Sequence, residues 1–134
     1  MRIAATVARY LTGLLLFVFG LNGFLNVIPQ PAPPPAGGEF MGALVAGNVL
    51  PVVKAFEVVI GALLLAGRFV PLALIMLVPI AVGVVLYHLS FDMAGGAGAY
   101  VLGALTAFLL WAYRSHLMPL LVSKATPLAE RATA

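Results

Sequence analysis

The chain contains no cysteine, and only 8% of its 134 residues are charged. The first absence excludes disulfides, thiolate metal sites and dithiol redox chemistry by this chain alone. The second excludes an ordinary water-soluble globule, in which about a quarter of the residues carry charge. Also missing are a Walker or Rossmann glycine pattern, a nucleophile elbow, histidines paired at haem or zinc spacing, and a regular arginine ladder. No motif identifies a reaction by itself. The net charge of +3 is small and says nothing for nucleic acid, so no nucleic-acid partner is expected.

What remains is apolar: 63% of the residues are hydrophobic. The length suits one domain of four membrane helices and little else. The expected fold class is therefore all-α, an integral membrane four-helix bundle over residues 1–122 with a mobile cytoplasmic tail at 123–134. The first span is predicted over Val7–Ile28, with Arg2 and Arg9 at its start as in a signal peptide. The apolar region is too long for one, and no small-x-small cleavage site follows before Pro29, so it reads as an uncleaved anchor. Pro29–Gly38 reads as a stiff, non-helical connector outside the hydrocarbon, because proline removes donors and restricts its predecessor. Glu39–Gly47 is apolar but too short to cross, which predicts a short interfacial or re-entrant helix before the second span. That span is predicted over Pro51–Gly67. After a tight turn at Gly67-Arg68 comes the third, Phe69–Leu89, which Pro79 should bend. A flexible turn at Asp92–Gly98 leads to the fourth, Ala99–His116.

Basic residues set the orientation of such a chain. Arg2, Arg9, Arg68, Arg114, Lys124 and Arg131 fall at the start, in the middle turn and at the end, whereas the other two connections carry Glu39 and Asp92 and no basic residue. Both termini are expected to be cytoplasmic. Tyr10, Trp111 and Tyr113 would mark the inner boundary, and Phe24, Tyr87, Phe91 and Tyr100 the outer one.

The second span holds the sharpest anomaly. Lys54 and Glu57 lie inside an apolar run, where one charge costs roughly 2.5–3.5 kcal/mol on insertion scales and marks a functional candidate. Three apart, they share a helix face and can pair, and Gly61 continues that face with room for another helix. Lys54 should lie roughly one turn below the outer surface and Glu57 about two. Asn22, Asn26, His88, Asp92 and Tyr100 are expected at the same outer level, so these side chains read as one site. Glu57 can pair with Lys54, accept from Asn22 or Asn26, or carry a proton. His88 and Asp92, four apart, can form a proton-relay pair. Plainer roles stay open: Lys54 snorkelling outward while Glu57 ties helices together, the asparagines as interhelical glue, and His88 as a solvated interfacial residue. A metal held by Glu57, His88 and Asp92 has no ligand spacing to support it, so none is expected.

Gly20–Phe24 (GLNGF), the proline-rich loop, K-x-x-E-x-x-x-G at Lys54–Gly61, GRFVPLA at Gly67–Ala73 and YHL at Tyr87–Leu89 together resemble the DoxX-like small membrane proteins. The resemblance covers about Arg9 to Leu121. That family, named after a subunit of thiosulfate:quinone oxidoreductase, comprises four-helix membrane proteins of bacteria. The resemblance implies a multi-pass protein of the bacterial cytoplasmic (inner) membrane with a link to quinone or sulfur redox metabolism, and it matches Glu57 and His88 best. The leading expectation is an accessory or redox-linked subunit that binds a hydrophobic partner such as quinone. The alternative is a small-molecule, proton or ion transporter using Glu57, which would require an oligomer. A purely structural membrane module is the third reading. Expected partners are the lipid bilayer and either further copies of the chain or a redox subunit.

Because the chain has no cysteine of its own, topology can be read with single introduced thiols. Ala36→Cys should react with an impermeant thiol reagent in intact cells, and Ser123→Cys only after permeabilisation. The reverse pattern would invert the assigned orientation.

Overall fold

Hydrocarbon offers no partner to a backbone N–H or C=O, and a helix satisfies both within one segment. The computed structural model describes residues 1–125 and contains, among them, six α-helices and no strand. They are α1 Arg2–Leu25, α2 Pro35–Ala46, α3 Val49–Ala66, α4 Val70–Phe91, α5 Ala97–Ala112 and α6 Arg114–Leu117, the last running into a 3-10 turn at Met118–Leu121. α1, α3 and α4 are each long and apolar enough to cross a membrane. α5 makes a fourth span only together with Arg114–Leu121, to which it is bent by 73°. The chain is a multi-pass membrane protein. Most of the predicted tail, residues 126–134, lies outside the described residues.

Several boundaries differ from those expected, each for a local reason. α1 begins at Arg2 rather than near Val7 and stops at Leu25, because Asn26 adopts a left-handed conformation (φ 54°) and ends the helix. The proline-rich connector turns helical at Pro35, four residues earlier than Glu39. Proline's fixed φ suits the first turn, where its missing N–H is not needed. α4 continues through Pro79 to Phe91. The last span does not run on to His116: α5 ends at Ala112, and the chain turns at Tyr113.

α1 packs on α3 and α5, and α4 packs on the same two helices, so the four contacts close a ring. Its core is a column of aliphatic side chains, among them Leu16, Ile60, Leu64, Leu74, Leu77 and Leu109. Between helices in lipid there is little hydrophobic driving force, so tight packing depends on small residues that let backbones approach. Gly61 is the closest approach: a Cβ added there would lie 2.6 Å from the Phe17 nitrogen and 2.8 Å from the Gly13 carbonyl oxygen. Along the same seam Gly13 faces Leu64 and Leu65, Gly20 faces Glu57 and Val58, and Gly23 faces Lys54. The order is reversed between the two helices, so α1 and α3 are antiparallel.

Arg2 and Thr6 of α1 share a groove with Ala112, Tyr113 and His116, which puts the start of α1 and the end of α5 at one end of the ring, called the inner end after the orientation expected from the basic residues. Arg9 caps this end of α3 by donating to the Leu64 carbonyl, one of the acceptors a helix C-terminus leaves over. At the outer end α2 rests on α3 and α4. Gly37 packs against Tyr87 and Phe91, and the Phe40 ring stacks on Phe91 with centroids 5.5 Å apart.

The atoms around Gly61 are backbone and cannot swing aside. Gly61→Val should destabilise the protein by about 3 kcal/mol, the upper end of overpacking costs, read as a lower thermal midpoint in detergent. Gly83→Ala, where an added Cβ meets nothing within 4 Å, should leave the midpoint unchanged or slightly higher.

Candidate functional site

One polar group sits deep in the ring without support from its own backbone. Thr12 and Thr106 are buried, but each hydroxyl donates to the carbonyl four residues back, at 2.8 and 2.7 Å, and so is satisfied by its own helix. Glu57 cannot do this, since a carboxylate is only an acceptor. It is 4% exposed, and Lys54 Nζ meets both its oxygens, at 3.1 Å to Oε1 and 2.8 Å to Oε2. The i, i+3 spacing places the ammonium one turn nearer the outer end, where it remains partly exposed. The pair is thus a carboxylate buried in apolar surroundings with one charged partner that reaches towards the outer end.

The pair lines a cavity of about 280 Å³ within the outer half of the ring. α1 contributes Leu15, Leu16 and Phe19; α4 contributes Val84 and His88; α5 contributes Gly98, Ala99 and Leu102. Gln30 from the connector and Gly95 from the α4–α5 turn stand at its outer rim. The walls from α1 and α5 are apolar, and the polar groups face in from α3 and α4. His88 is held by its own turn: Nδ1 lies 3.3 Å from the Asp92 carbonyl oxygen and 3.8 Å from Asp92 Oδ2, and the Tyr87 ring meets it edge-on. With Nδ1–H donating to that carbonyl, the neutral imidazole keeps Nε2 as an acceptor.

Of the seven residues singled out in the sequence, the structure brings Lys54, Glu57 and His88 together on this cavity. None of the other four lines the cavity, although Asp92 holds His88. Asn22 pairs with a peptide of its own chain: Nδ2 donates to the Ile28 carbonyl at 3.0 Å, and Oδ1 accepts from the Ile28 N–H at 2.7 Å. It therefore neither reaches Glu57 nor ties helices together. Asn26 is exposed and serves as the left-handed cap of α1. Asp92 Oδ1 accepts from the Gly95 N–H at 3.1 Å and shapes the α4–α5 turn. Tyr100 donates to the Met93 carbonyl at 3.2 Å within the same turn. These polar residues do lie at one level, but three of the four close loops there, and Asn26 caps a helix.

Two residues carry weight that the sequence did not announce. Gln30 joins the rim of the cavity from a stretch read as mere connector, and a lone amide among prolines was its only signal. Arg9 reads as a topology residue, yet it caps α3 across the seam. Among the described residues no three His, Asp or Glu side chains cluster as a metal site would require. No protein-family model matches the chain, and neither a curated protein nor a solved structure matches it.

Breaking a buried pair from one side strands the other charge, whereas replacing both partners by apolar groups is often neutral or stabilising. Lys54→Met should therefore cost roughly 3 kcal/mol in detergent stability, and the double variant Lys54→Met/Glu57→Leu should regain most of it. Additive losses in this double-mutant cycle would mean that the two side chains do not act as a pair.

Proposed function

We propose that the protein is an accessory, redox-linked subunit of the bacterial inner membrane whose four spans form a bundle with both termini in the cytoplasm, and that its cavity holds the head of a hydrophobic partner such as quinone. The observation that carries this reading is the Lys54–Glu57 pair facing His88 across an otherwise apolar cavity. A site of that kind suits a flat, apolar ring with polar atoms at its edge: the walls exclude water, and a few convergent polar groups fix orientation. With two of its three protons on Glu57, Lys54 keeps one N–H to donate to a ring carbonyl. His88 Nε2 is available to accept from a hydroxyl on the reduced form. Glu57 holds the ammonium in place. A bound quinone would supply two-electron chemistry; the chain itself supplies the enclosure, one donor and one acceptor.

The volume agrees with a head group rather than a whole long-chain molecule, since pockets that enclose drug-sized ligands start at about 300 Å³. Short-chain quinone added to the purified protein in nanodiscs should bind to the unsubstituted chain, and Glu57→Gln should weaken binding by about tenfold without preventing insertion. Equal binding by the two proteins would remove Glu57 from the site.

A further inference from the structure

The seam between α1 and α5 is shut at one end and open at the other. On α1, Ala8, Thr12, Leu15 and Phe19 recur at helical spacing and form a single stripe. At the inner end this stripe is covered, with Ala8 5% and Thr12 0% exposed. Further out Leu15 is only half-buried, and Phe19, on the cavity wall, is 42% exposed. On the facing stripe of α5, Leu109 is fully buried at the inner end and Leu102 is buried beside the cavity, but Gly98 at the outer tip is exposed. Gly98 also lines the cavity, and a Cβ built on it meets nothing within 4 Å. It lies about 140° round the helix from Gly103, which packs on Val85 of α4, so it faces away from α4 and towards α1.

We infer that the cavity is loaded sideways from the bilayer, through the cleft between the outer halves of α1 and α5 framed by Leu15, Phe19 and Gly98. Its ligand is then an amphiphile: a compact polar head seated against Lys54 and His88, and a hydrocarbon tail that stays in the cleft against the acyl chains. This rests on the reading of the cavity as a ligand site and adds the route of entry, the disposition of the tail and the reason a small cavity suffices. A tail left in lipid needs no protein volume, and it gains nothing from leaving a medium as apolar as itself. The residues that frame the cleft, Leu15, Phe19 and Gly98, are themselves part of the cavity lining.

Gly98 provides the test, because a Cβ built there meets nothing within 4 Å and a larger side chain would extend into the cleft. In nanodiscs, Gly98→Phe should weaken decylubiquinone binding by about tenfold while the same quinone ring without its tail binds within about twofold of the unsubstituted chain. Gly83→Ala, outside the cavity lining and also in open space, should bind both as the unsubstituted chain does. If Gly98→Phe binds both quinones normally, or loses both to the same extent, the lateral entry is wrong although the cavity remains a quinone site. If the unsubstituted chain binds neither quinone, the cavity reading falls, and the entry route with it.

Discussion

A carboxylate held away from water inside a membrane helix is the constraint to which the rest of this structure answers. Left alone, Glu57 would cost several kcal/mol, and lipid offers it nothing in return. Lys54, one turn towards the outer surface, supplies the opposite charge, and its long stem lets the ammonium stay near the interface while touching both carboxylate oxygens. The pair needs walls, and the ring of α1, α3, α4 and α5 provides them. Buried ion pairs are weak sources of net stability, and on the reading proposed above this one serves a ligand.

The ring is built unevenly. The α1–α3 seam runs through Gly13, Gly20, Gly23 and Gly61, so closely that added side chains would meet backbone or the Lys54 stem. That rigid seam fixes the register of Glu57 against α1, and Arg9 secures its inner end. The α1–α5 seam tightens only at the inner end, and the void at its outer end is the cavity. A tight seam beside a loose one leaves room for a ligand without disturbing the helices that position the charged pair. α2 braces the outer end of α4 through Phe40, Tyr87 and Phe91, next to His88.

Much of this was legible in the sequence wherever the rule involved is local. Long apolar runs gave the existence of the spans, and the three-residue spacing gave the contact between Lys54 and Glu57. Gly61 pointed to a close crossing, although only the structure pairs it with Phe17 and Gly13. What was not legible depended on competition between partners. The Asn22 amide could serve a neighbouring helix or its own chain end, and the nearby Ile28 peptide won because it offers a donor and an acceptor together. Asp92 and Tyr100 were similarly claimed by the turn they flank. The helical start at Pro35 was missed because prolines that forbid a helix interior favour its first turn. The bend at Tyr113 has no proline or glycine to announce it.

The central claim is that the Glu57 carboxylate is bonded to the Lys54 ammonium within the membrane. The composition makes this directly measurable, because the chain has two lysines and three glutamates, of which, among the described residues, only Lys54 and Glu57 lie within a span. In lipid bilayers, solid-state NMR dipolar recoupling between lysine 15Nζ and glutamate 13Cδ should give the strong dephasing of a directly hydrogen-bonded pair, and Lys54→Met should abolish it. Absence of dephasing in the unsubstituted chain would place the ammonium in the interface, leave the carboxylate without its partner and contradict the account.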